Sequence, residues 1–193
     1  MKIEIVKILA PAIFTLIGIF IGNHLSYKNS IKIHNEQKRT ENQKKSYSKL
    51  RSLKNPWTQN INLNLEAKLL CEFYEKRFLL LTHDKEDLIE AKRQNERGIE
   101  SIKEISNYQM QMFENLALIE LSFKIDKELQ EAIDDIYNYR ALGIKKFPKN
   151  LKTQKELDEL LEKQFKNVEK AIDSEYREKI NRLINILKHK LKE

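Results

Sequence analysis

Two stretches of this sequence place an arginine shortly before a histidine: Arg77-Phe-Leu-Leu-Leu-Thr-His83 and Arg182-Leu-Ile-Asn-Ile-Leu-Lys-His189. Such a pair can cleave RNA without a metal. The imidazole moves the proton as general base or acid, and the guanidinium holds the phosphate and its developing charge. Both side chains must then reach one substrate. On an uninterrupted helix Arg77 and His83 point about 240° apart, so they converge only if the helix breaks near Thr82. Arg182 and His189 share a face but stand about two turns apart. All four are candidate catalytic residues. The structural alternative is an arginine with its stem on apolar neighbours and a histidine near the favourable end of a helix dipole. Spacing alone does not separate the two, because eight arginines and four histidines in 193 residues give about half a match by chance.

No other constellation is arranged for chemistry. His24, His34, His83 and His189 are scattered, and neither an H-E-x-x-H element nor paired cysteines occur, so no metal site is expected. The glycines, Gly18, Gly22, Gly98 and Gly143, form no phosphate loop, and no cofactor is expected. Asp134 and Asp135 are adjacent and diverge on a helix. Cys71 is the only cysteine, so it forms no intramolecular disulfide; within LLCEFYEKRFLLL it reads as a small buried hydrophobe.

The elements that must carry these residues are helical. With four glycines and three prolines in 193 residues, turns are few and long helices are the economical solution. The expected fold is all-α: an N-terminal transmembrane helix continuing into a stalk, then an antiparallel four-helix bundle. Three regions follow: an anchor over 1–26, a basic helical stalk over 27–55 and a cytoplasmic bundle over 56–193.

The anchor rests on Ile8 to Tyr27, 20 consecutive uncharged residues, enough to cross about 30 Å of hydrocarbon. No small-x-small cleavage site follows, so the segment is expected to stay attached. Charge is distributed to match. Residues 23–55 hold nine basic residues against Glu36 and Glu41, a net +7, whereas 56–193 comes to −1. A pI near 9.3 would otherwise point to nucleic acid. Basicity confined to the flank of an apolar run points instead to a juxtamembrane cluster, with Lys28, Lys32, Lys38 and Arg39 on anionic lipid and no role for DNA. The same asymmetry orients the bundle to the cytoplasm, in a single-pass protein of the bacterial inner membrane.

One stripe of the anchor holds Pro11, Thr15, Gly18 and Gly22, the last two forming a G-x-x-x-G element that lets helix backbones approach closely. These four are expected to mediate homo-oligomerisation and, in an assembly, to line a pore.

Asn55-Pro56 is expected to end the stalk, NINLNL (60–65) to form an irregular entry, and the first bundle helix to run from about Leu63 to Thr82. Asp84 should cap the next helix, with Gly98 a possible bend. QMQMFENLALIELSF (109–123), apolar nearly all round, should lie at the centre of the bundle. A third helix should begin at Asp126 and close at Leu142-Gly143. KKFPKN (145–150) is a loop. Thr153 and Glu156 form a capping box opening a last helix of about 40 residues, with an apolar stripe from Leu157 to Leu191.

This layout resembles the small membrane-anchored accessory proteins that accompany the RNA-guided RNase of type VI-B CRISPR systems. The shared features are one N-terminal span (Ile8 to Leu25), a helical domain of this size and a degenerate Arg-x-His element of the higher eukaryote and prokaryote nucleotide-binding (HEPN) type, Arg77 to His83 or Arg182 to His189. The resemblance implies a ring-shaped oligomer forming a membrane pore that strengthens antiphage defence when the nuclease is activated. The apolar spacer of RFLLLTH departs from the polar residue often found after the arginine in active nucleases of this type. An accessory role without turnover is therefore the leading expectation. A membrane-tethered HEPN ribonuclease acting on RNA is the second. A passive scaffold that recruits a partner through its stalk or its Met110/Met112 region is the third.

Overall fold

A computed structural model describes the backbone of residues 2–192 and the side chains of residues 20–192. Helix α1 spans Lys2–Arg77 and is followed by a π-helical turn, Phe78–Thr82; α2 spans Lys85–Ser122 and α3 Lys127–Tyr137. Helices α4 (Gln154–Ile172) and α5 (Glu178–Lys190) are joined without a break by a second π-helical turn, Asp173–Arg177. No strand occurs among the described residues. The chain divides into two compact units, Met1–Asn42 and Gln43–Glu193. In the first, every described side chain from Phe20 to Glu41 is exposed. The second is a bundle of four helices, counting α4 to α5 as one.

Its main core is an apolar cluster with Leu50, Trp57 and Leu69 from α1, Leu116 from α2, Ile133 from α3 and Ile180 from α5. Trp57 is its largest side chain and meets Tyr139 and Tyr176 edge-on, at ring centroids 5.4 and 5.5 Å away. Tyr176 donates its hydroxyl to the Arg140 carbonyl at 3.0 Å, and burial pushes its phenol up to about 12. A smaller cluster of Phe73, Phe147 and Leu157 pins the 138–153 connection, where Glu72 accepts the Phe147 N–H at 2.8 Å.

Helices α1 and α2 run antiparallel, as their cross-contacts descend on one while rising on the other. Gln43 donates to the Ser122 carbonyl, Asn115 to that of Ser46, Lys49 to Gln111, and Asn64 to the Gly98 carbonyl and Ser101 Oγ. Gly98 is no bend: α2 continues through it. Its missing side chain gives room at α1, since a Cβ there would lie 3.6 Å from that of Ala67.

Several local expectations are met. Asp84 and Asp126 cap α2 and α3 through Glu86 N–H and Leu129 N–H, and both halves of the Thr153/Glu156 capping box are formed. The last apolar stripe faces the core at Leu157, Val168, Ile172, Tyr176, Ile180, Leu183 and Leu187. Three consecutive four-residue steps, Val168 to Ile180, would carry it about 120° around an α-helix. The π-helical turn takes up the extra residue and keeps it on one face.

Others are corrected. Asn55-Pro56 does not end a helix; α1 passes through it. A proline inside a helix costs about 3 kcal/mol, but Leu53, Trp57 and Ile61 are buried on one face here, at about 1.5–3 kcal/mol each. Thr58 and Asn60 also donate to the Lys54 and Pro56 carbonyls. NINLNL is helical for the same reason, since Ile61, Asn64 and Leu65 fall on the buried face. Residues 43–55, read as stalk, lie in the bundle unit and bury Ser46, Leu50 and Leu53. Helix α3 stops at Tyr137, not at Leu142-Gly143, because Tyr139 and the Arg140 carbonyl are drawn to Trp57 and Tyr176. Cys71 is half-buried and its thiol donates to Glu75, burial holding it above its ordinary value. In 109–123, Met112, Leu116 and Ile119 are buried, but Met110 and Leu121 are exposed.

The space at Gly98 admits one methyl group in ordinary contact. Gly98→Ala should therefore raise stability by about 0.5–1 kcal/mol, the helical cost of glycine, in urea unfolding followed by circular dichroism. Gly98→Leu, which wedges α1 from α2, should lower it.

Candidate functional site

The helix does break where Arg77 and His83 need it to. The π-helical turn ends at His83, whose φ of 53° is left-handed and whose N–H closes the turn on the Phe78 carbonyl at 3.1 Å. Histidine is one of the side chains that enter this region with least strain. The exposed ring stacks edge-on with Phe78, at a centroid distance of 6.1 Å. Arg77 turns elsewhere: its Nε donates to Asp87 Oδ1 at 2.7 Å, its terminal nitrogen bonds the same oxygen, and the guanidinium lies over the Phe73 and Tyr74 rings.

Asp87 is the residue that spacing did not single out. It stood in the sequence as one more acid in the first turn of α2, yet its side chain is only 2% exposed. Thr82 Oγ1 donates to its second oxygen at 2.6 Å. The Arg77 hydrogen bond holds the carboxyl below the ordinary range and raises the arginine further. A buried carboxylate requires a charged partner. Its signal in the sequence was an arginine ten residues upstream across a helix break, where the turn brings the two together.

Arg182 and His189 line one cavity of about 650 Å³ between α3 and α5, together with Asp126, Glu128, Glu178 and Lys190. Arg182 donates to Asp135 at 2.9 Å and Glu131 at 3.3 Å. Lys190 pairs with Asp126, which it holds below the ordinary carboxylate range. Three carboxylates against two cations make a poor phosphate site, because like charges repel the ligand.

In the first unit Lys28, Lys32 and Arg39 share one groove with Ile31, Asn35 and Glu36, without Lys38. A Cβ added at Gly22 would point into open space. Pro11, Thr15 and Gly18 lie outside the described side chains, as does most of the Ile8 to Leu25 span. Among the described residues no helix is long and apolar enough to cross a membrane, and no cluster of three or more metal-ligating side chains occurs. Comparison with protein families, with curated proteins and with solved structures finds no match.

Asp87→Asn should cost about 1.5–3 kcal/mol, the worth of a hydrogen bond to a charged group. Because the Asp87 pKa is depressed on folding, its contribution is present above the ordinary carboxylate value of about 3.9 and is lost as pH falls through the lower folded value. Urea midpoints from pH 6 downwards should fall more steeply for the wild type than for Asp87→Asn.

Proposed function

We propose that this chain is a membrane-anchored, homo-oligomeric helical protein that acts by assembly and not by turnover. The observation that carries the reading is the allocation of the two arginines. Arg77 is committed to buried Asp87 and Arg182 to Asp135 and Glu131, so neither pair is arranged around a phosphate. The anchor is supported by 20 uncharged residues followed by the whole net charge of the chain. Lys28, Lys32 and Arg39 on one exposed groove suit anionic headgroups. The resemblance adds the setting: a bacterial inner-membrane accessory of an RNA-guided RNase in antiphage defence, forming a pore around Pro11, Thr15, Gly18 and Gly22.

A tethered ribonuclease is the second reading, favoured by the shared cavity of Arg182 and His189. RNA decay abolished by His189→Ala with the fold intact would establish it; decay that survives both His83→Ala and His189→Ala would eliminate it.

The deciding measurement is the mass of the full-length protein in mild detergent, by light scattering corrected for bound detergent. The expected result is a discrete assembly of about six or more subunits, reduced in number by Gly18→Leu with Gly22→Leu. A monomer or dimer would leave too few spans for a channel and overturn the pore.

A further inference from the structure

A cavity of about 210 Å³ lies between α1, α2 and the 138–153 connection, and none of the four arginine–histidine residues lines it. Its wall on α2 includes Gln94, which sits between Ala91 and Gly98 on the buried face of that helix and is only 9% exposed. The Gln94 Nε2 donates to Glu90 at 2.7 Å. Its Oε1 is buried and has no hydrogen-bond partner among the described residues. Buried amide oxygens are rarely left so, because losing water without gaining a donor costs more than the bond would contribute. The cavity that Gln94 lines offers room for that donor.

Charge says what kind of donor fits. On the α1 side the cavity is lined by Glu72 and Glu75 against the single cation Lys68, and Lys68 and Glu75 stand exposed at its rim. Glu72 accepts the Phe147 N–H, whereas Glu75 receives the Cys71 thiol at 3.8 Å, a weak donor. The thiol registers the local field: burial first, then the charges of Glu75 and Glu72, push it above its ordinary value. The rest of the wall is apolar, with Ile99 and Ile102 on α2 and Ile144 on the connection.

We propose that this cavity binds a primary alkylammonium ion, which donates to Gln94 Oε1 and to the carboxylates of Glu72 and Glu75 and lays its hydrocarbon chain along Ile99, Ile102 and Ile144. An ammonium carries three donors and no acceptor, which matches a wall with an unpartnered acceptor and an excess of carboxylate. An anion would meet repulsion from the two glutamates. An alcohol could serve Gln94 but would leave the carboxylates without a counter-charge. A cavity of about 150 Å³ takes a benzene, so this one suits a chain of about five carbons with its nitrogen. The proposal stands independently of the membrane anchor and of any assembly.

The test is thermal unfolding of the full-length protein in mild detergent, followed by circular dichroism, with n-pentylammonium chloride as the probe. The expected result is a melting temperature about 2–4 °C higher than in sodium chloride of equal ionic strength, with no rise from pentan-1-ol or sodium pentanoate. Gln94→Met, which removes the unpartnered oxygen, and Glu75→Gln, at an exposed position where the fold is not at risk, should each remove about half of the rise or more. Lys68→Ala, which takes away the competing cation, should enlarge it. No rise, an equal rise with pentan-1-ol, or a rise unchanged by Glu75→Gln or Gln94→Met would overturn the proposal and leave water as the partner of Gln94.

Discussion

Register between α1 and α2 is the constraint on which the bundle depends, and polar side chains set it. Apolar stripes of Leu and Ile on two long helices can slide by a turn at little cost, because dispersion contacts are not directional. Hydrogen bonds from Gln43, Asn64 and Asn115 to individual carbonyls do not permit it. Slippage would leave the buried Asn64 and Asn115 amides without a partner, at about 1–3 kcal/mol each. The close approach of Gly98 to Ala67 and the Arg77–Asp87 ion pair at the end of the hairpin fix the same alignment. With α1 placed, Trp57 is placed, and through Tyr139 and Tyr176 it seats the end of α3 and the α4–α5 run.

The parts of this fold legible in the sequence are those fixed by neighbours in the chain. Caps at Asp84, Asp126 and Thr153 depend on two or three residues each, and the stripe from Leu157 to Leu187 on helical periodicity alone. What was not legible depends on partners far away in sequence. Pro56 and NINLNL look like breaks until Leu53, Trp57 and Ile61 are known to face a common core. Leu142-Gly143 looks like a cap until Tyr139 is drawn out of the helix by Trp57.

The candidate site follows the same division. Spacing picked out Arg77 and His83 and even required a break near Thr82, which is present. Spacing does not disclose which carboxylate a guanidinium meets, and Asp87 decides what Arg77 can do. An arginine held by a buried carboxylate, stacked on two rings and joined by Thr82, cannot swing to a phosphate without stranding Asp87 as an unpaired buried charge. His83 meanwhile closes a helix in the left-handed conformation. In this chain the arginine–histidine spacing builds a hairpin.

The two faces of α2 then carry different physics. Toward α1, Asp87, Ala91, Gln94, Gly98 and Ser101 are small or polar, so this half of the helix buries little apolar area and is held by hydrogen bonds and close backbone approach. The larger side chains of the same segment, Leu88, Ile99 and Ile102, point outward. Burial of an isoleucine or leucine contributes about 1.5–3 kcal/mol, and this half of the hairpin forgoes it, so its alignment is held by the Asn64 hydrogen bonds, the close approach at Gly98 and the Arg77–Asp87 pair instead.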